Sequence, residues 1–123
     1  MSPAPAVGID LIEIDRLERA LERRPRLAER LFTESERAYA GGQARPGQHL
    51  AARFCAKEAA TKALGLSVLR PLEIELCPRD DGAPELLLSG AAAARAQQLG
   101  VQLGCSITHS RLTAGAVVVG GPL

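Results

Sequence analysis

An α+β domain, its largely antiparallel sheet packed against one long central helix, is what this chain encodes. Through the first half, apolar residues recur at helical spacing; through the second, they alternate with polar ones in short runs bounded by turn residues. One strand precedes a run of helices, and the order then becomes ββαββ. That segregation suits antiparallel pairing rather than alternating parallel units. At 123 residues the chain reads as one domain over 1–123, long enough to bury roughly two-thirds of its unfolded surface.

Ala6 to Leu11 is apolar and partly β-branched, and reads as a strand ending at Asp10. Leu17, Ala20 and Leu21 follow at helical spacing, and Pro25 punctuates that helix. Leu27 and Leu31 mark another helical turn. Thr33-Glu-Ser-Glu36 has the form of a capping box and predicts a helix through Ala40. Gly41-Gly-Gln-Ala-Arg-Pro-Gly47 reads as a loop, and His49 reads as an exposed residue of this Gly/Pro loop. The long helix runs from about Gln48 to Leu64 and stops at Gly65. Leu72, Ile74 and Leu76 then alternate with Glu73, Glu75 and Cys77 as a half-buried strand. Arg79-Asp-Asp-Gly82 turns the chain, and Glu85 to Leu88 returns as its partner. Ser89 caps an alanine-rich helix that ends at Gly100. Val101, Leu103, Cys105 and Ile107 alternate as a strand, and a turn through 109–113 leads to the last strand, Ala114 to Val119.

With 46% hydrophobic residues, 24% charged and a net charge of +1, the whole molecule reads as soluble and exerts little pull on polyanions. The charge is unevenly spread. Arg16, Arg19, Arg23, Arg24, Arg26 and Arg30 crowd together, interleaved with Glu18, Glu22 and Glu29. This is either a solvated, internally paired helix face or a docking patch for an acidic partner. A nucleic-acid partner is not expected, because no Trp, one Tyr and two Phe leave little to stack on bases. Cys55, Cys77 and Cys105 have no metal-ligand spacing and read as free thiols of a reducing cytoplasm. No apolar run approaches a membrane span, and Met-Ser-Pro-Ala-Pro-Ala lacks a signal peptide's features, so a cytoplasmic location away from membranes is expected.

The chemistry concentrates on the long helix. Ala51, Phe54, Cys55, Glu58 and Lys62 share one side of it, so Glu58 lies among apolar neighbours. A carboxylate desolvated there needs compensation from a metal, a lysine or a phosphate ligand. Its plainer reading is an ion pair with Lys62 one turn on. Asp10, at a strand end, reads on its own as the cap of the following helix ahead of a ligand. Brought together, Asp10 and Glu58 would suit a hard divalent cation such as magnesium, which takes one or two carboxylates and completes its shell with water and phosphate. Arg53, Lys57 and Lys62 put three cations on the same helix, though only Lys62 shares the Glu58 face. They form either a solvated basic face or the charge complement of phosphoryl chemistry. His109, at a strand end, could bind phosphate, act as a base or satisfy a carbonyl. Neither a nucleophile elbow around Ser110 nor a phosphate-binding Gly-rich motif is present.

Four segments in order resemble the holo-acyl-carrier-protein synthases, the small bacterial type of 4'-phosphopantetheinyl transferase. They are Gly8-Ile-Asp-Leu-Ile-Glu-Ile-Asp-Arg16, Leu31-Phe-Thr-Glu-Ser-Glu36, Arg53-Phe-Cys-Ala-Lys-Glu-Ala-Ala-Thr-Lys-Ala-Leu-Gly65 and Ser106-Ile-Thr-His109. The resemblance implies a phosphopantetheinyl-transferase-like fold and transfer of phosphopantetheine from coenzyme A to a serine of an acyl carrier protein, with release of 3',5'-ADP. It implies Asp10 and Glu58 as ligands of Mg2+ and, with Lys62, as catalytic residues. Lys62 would also bind the pyrophosphate, and His109, Arg53 and Lys57 the nucleotide phosphates. Arg16, Arg23 and Arg26 would dock the acidic carrier, and a homotrimer would form its active sites between subunits. The stretch Gly65–Pro71 departs from the family by being short, with no second glycine and no aromatic. The competing readings are a noncatalytic relative that binds coenzyme A or acidic carriers, and a metal-dependent phosphohydrolase. The complete set of Asp10, Glu58, Lys62 and His109 favours the enzyme.

Overall fold

The computed structural model describes residues 5–123; the first four residues, which opened the reading against a signal peptide, lie outside the described residues. Strand β1 (Ala6–Glu13) leads into helices α1 (Ile14–Arg23), α2 (Leu27–Leu31), α3 (Glu34–Gly41) and α4 (Pro46–Leu64). A 3-10 turn at Pro71–Glu73 precedes the hairpin β2 (Ile74–Pro78) and β3 (Pro84–Leu88). Helix α5 (Gly90–Leu99) and strands β4 (Val101–His109) and β5 (Thr113–Pro122) complete the chain. All pairing is antiparallel, but in two sheets: three strands ordered β1-β5-β4, and the β2-β3 hairpin.

Helix α4 is the axis of the molecule. Cys55, Ala56, Ala59, Ala60 and Ala63 pack with Ala116 and Val118 of β5 into one core, while Ala51 and Ala52 join Ile14, Leu17 and Phe32 in a second. Alanines keep the α4 surface flat, so strands approach closely. Gly8 is the closest point, where a Cβ would overlap the Ala59 carbonyl. Gly65 ends α4 in the left-handed conformation, φ 66°, as its position predicts.

Several expectations shift. The strand continues three residues past Asp10, and Glu13 occupies the N-cap of α1, so Asp10 caps nothing. Helix α4 begins at Pro46 because proline is favoured in a first turn, where its missing N–H costs nothing. The 41–47 loop therefore shrinks, and Arg45 holds it by donating to the Glu18 carboxylate at 2.8 and 3.2 Å and to the Arg111 carbonyl at 2.7 Å. Leu72 falls in the 3-10 turn, not in the strand. Ser89 makes no side-chain cap for α5. Glu73 does that work, accepting the Ala92 N–H at 3.1 Å, since the 3-10 turn presents its carboxylate to the open helix end.

Candidate active site

Alternation along β1 points Gly8, Asp10 and Ile12 toward α4, and Val7, Ile9 and Leu11 outward. Asp10 thus meets the α4 face that carries Phe54 and Glu58. Asp10, Glu58 and Phe54 line one cleft of about 370 Å3 with Arg16, Leu17 and Leu31. Lys62 reaches back to the same strand, its ammonium 2.9 Å from the Ile9 carbonyl and 3.5 Å from Asp10 Oδ1. It makes no ion pair with Glu58 among the described residues, so the simple intrahelical pair is replaced by a strand-to-helix contact.

Burial, then the charge of Asp10, raises the Glu58 pKa above its ordinary value, with Lys62 opposing. Two half-buried carboxylates facing one cleft, with one cation nearby, leave a negative charge density that a hard divalent cation relieves. No cluster of three or more His, Cys, Asp or Glu that could hold a metal occurs among the described residues. The pair therefore fits a cation that draws its remaining oxygen ligands from water and substrate, as magnesium does. Beneath the pair, Cys55 is fully buried, with its thiol 3.5 Å from the Ala114 carbonyl. Burial first, with Asp10 and Glu58 adding to it, pushes that thiol up to about 12 and keeps it unreactive.

Lys57 departs from expectation. Its side chain is 0% exposed, paired to Glu36 at 2.7 Å and donating to the Pro71 and Ile74 carbonyls at 2.6 Å each. An ammonium has three donors, and all three are spent inside the fold, so none is left for a phosphate. Burial lowers its pKa while Glu36 supports its charge. Glu36 also completes the predicted capping box with Thr33 and accepts the Leu76 N–H at 3.0 Å. Lys57 is therefore a structural pin between α3, α4 and β2.

Arg53 and His109 do not join Asp10 and Glu58. Arg53 and Glu58 are five residues apart on α4, which turns them about 140° from each other. Arg53 and His109 line a second cleft, of about 330 Å3, with Tyr39 and His49. His49 is half-buried on α4 rather than exposed in a loop. Its spacing of one helical turn before Arg53, together with a helix start at Pro46, was the available signal for its role. Of the expected carrier contacts, Arg16, Arg23 and Arg26 are all exposed, but only Arg16 lines the carboxylate cleft. Arg26 approaches Glu29 at 3.8 Å, a weak exposed pair.

Residues 6–117 match the family model described as the 4'-phosphopantetheinyl transferase superfamily. The holo-[acyl-carrier-protein] synthase of Streptomyces avermitilis is 49% identical over 115 residues, covering 92% of this chain and 94% of that protein. That of Moorella thermoacetica is 45% identical, covering 91% and 90%. A crystal structure of the Bacillus anthracis holo-(acyl-carrier-protein) synthase in complex with CoA (3',5'-ADP) superposes with a TM-score of 0.80 at 35% identity, covering 98% of this chain and 100% of that one.

Proposed function

Because this chain belongs to the 4'-phosphopantetheinyl transferase superfamily, we propose that its carboxylate cleft is the catalytic centre of a holo-acyl-carrier-protein synthase. The enzyme transfers the 4'-phosphopantetheine group from coenzyme A to a serine of an apo acyl carrier protein. The observation that carries the site assignment is the convergence of Asp10 and Glu58 on one cleft beside Lys62. Asp10 and Glu58 would hold Mg2+, which when bound would supply positive charge to the pyrophosphate and to the departing phosphate.

The serine oxygen attacks the phosphorus that bears pantetheine, and the bond to the second phosphate breaks to release 3',5'-ADP. One of these two carboxylates, directly or through a water, would help remove the serine proton. Lys62, anchored by the Ile9 carbonyl yet exposed, supports the pyrophosphate charge. Arg16 at the cleft rim, with Arg23 and Arg26 farther along, meets the acidic surface of the carrier; such charges mainly raise encounter rate and specificity.

Two features support a homotrimer with active sites between subunits. The phosphate-binding candidates Arg53 and His109 lie on a different flank of α4 from Asp10 and Glu58, so one coenzyme reaching both sets would bridge two copies. The outer face of the three-stranded sheet is also apolar along β1 and β5. Ile9 and Leu11 are 63% and 68% exposed, and Ile9 stands opposite Val117 across the ladder. A continuous row of this kind marks an interaction surface. Residues 1–123 act as one transferase domain. No helix among the described residues is long and apolar enough to cross a membrane, and the three free cysteines support a cytoplasmic location.

The test is Glu58→Gln. The variant should keep its circular dichroism and melting temperature while 3',5'-ADP release in the presence of apo carrier protein and magnesium falls at least about 100-fold. Unchanged release would remove Glu58 from the catalytic centre. Carrier binding by the wild type with no release of 3',5'-ADP would instead favour the noncatalytic reading, which the exposed arginines alone could sustain.

A further inference from the structure

Four side chains from three elements meet near the start of α4: Tyr39 of α3, His49 and Arg53 of α4, and His109 at the end of β4. The Tyr39 and His49 rings meet edge to face at 5.8 Å, and the His49 and His109 rings lie 6.4 Å apart. The Arg53 guanidinium carbon sits 4.3 Å from the Tyr39 ring centroid. Arg53 is only 3% exposed; one terminal nitrogen reaches the His49 carbonyl at 3.4 Å, and its Nε is buried with no partner among the described residues. A buried cationic N–H without an acceptor is costly, and a cleft lined by it and two imidazoles, with no carboxylate on its wall, calls for an anion.

We propose that His49 is a specificity-determining residue of this cleft, binding with Arg53 and His109 a phosphate monoester, the group that distinguishes coenzyme A from its dephospho form. The inference rests on coenzyme A being the donor. Coenzyme A carries one phosphate monoester; its other two phosphates form the pyrophosphate that belongs with the carboxylate pair. A monoester is close to dianionic at neutral pH and matches a guanidinium joined by protonated imidazole.

His49 suits this role because its proton is conditional. Tyr39 from α3, Arg53 on its own helix and His109 from β4 surround it, with Glu36 and Cys77 near Arg53. Burial first, then Arg53 and His109, lower its pKa, so the empty cleft favours neutral imidazole. A dianion reverses the electrostatic part of that balance, and His49 takes up a proton as the ligand enters.

Isothermal titration calorimetry with 3',5'-ADP and 5'-AMP, which differ only by the 3'-phosphate, tests this in wild type and His49→Phe. Phenylalanine keeps the ring against Tyr39 and removes both nitrogens. The variant should bind 3',5'-ADP about tenfold more weakly, with 5'-AMP affinity unchanged. Proton uptake at pH 7.5, read from titrations in buffers of different ionisation enthalpy, should fall in the variant for 3',5'-ADP alone. Equal losses for both nucleotides, or none in a folded variant, would overturn the assignment. Should the wild type modify a carrier while His49→Phe binds 3',5'-ADP normally, His49 alone is misassigned and the transferase function stands.

Discussion

Glu58 shows how one side chain's surroundings set its chemistry. With its pKa raised in the folded chain, Glu58 favours the fold most at low pH, and that contribution fades as pH rises through the folded value until a cation replaces the proton. A carboxyl-carbon NMR titration of the metal-free protein should place the Glu58 midpoint above 4.5. Asp10→Asn should lower it and Lys62→Gln should raise it; movement in the opposite senses would contradict the geometry. Glu58 was legible in the sequence because its helix face also carries Phe54. Lys57 was not. Its burial depends on Glu36, brought to it by the packing of α3 on α4, and no local pattern announces that contact. Lys57→Met should cost about 3–5 kcal/mol by leaving Glu36 buried without its counter-charge, read from urea unfolding. A loss under about 1 kcal/mol would mean that water reaches the pair.

At the level of elements, the strand-to-helix seam between β1 and α4 positions the two carboxylates. Gly8 permits that seam, and Gly8→Ala should cost about 3 kcal/mol because the added methyl meets backbone rather than a movable side chain. The same change should depress turnover beyond what the stability loss explains, since Asp10 moves with β1. Normal stability in Gly8→Ala would mean the seam is looser than described. The helices and both hairpin strands were readable from periodicity and from the Thr33 capping box. The α5 cap was not, because Ser89 has the right residue type in the right place yet Glu73 supplies the bond. Glu73→Gln should therefore lower the melting temperature more than Ser89→Ala does. Because the helix end and Arg70 hold the Glu73 pKa down, that difference should shrink as pH falls through the carboxylate range.

For the molecule as a whole, the sequence revealed every residue type the chemistry needs but not their division between two clefts. Asp10 and Glu58 could be paired on paper because a strand end and a helix face invite it. Separating them from His109 required knowing that β4 and β1 flank β5, which only the sheet order provides. The division bears on assembly. In the proposed trimer, Asp10→Asn and His109→Ala chains should each lose turnover alone, but co-expressed they should regain part of it at interfaces that receive an intact half from each. No recovery in verified mixed oligomers would argue that each chain works alone.

The measurement that bears most directly on the proposed activity is intact-mass spectrometry of an apo acyl carrier protein after incubation with this protein and coenzyme A, with magnesium or with EDTA. The carrier should gain one phosphopantetheine mass in magnesium and none in EDTA. An unchanged carrier mass in magnesium, across several apo carriers and from a folded sample, would contradict the transferase assignment.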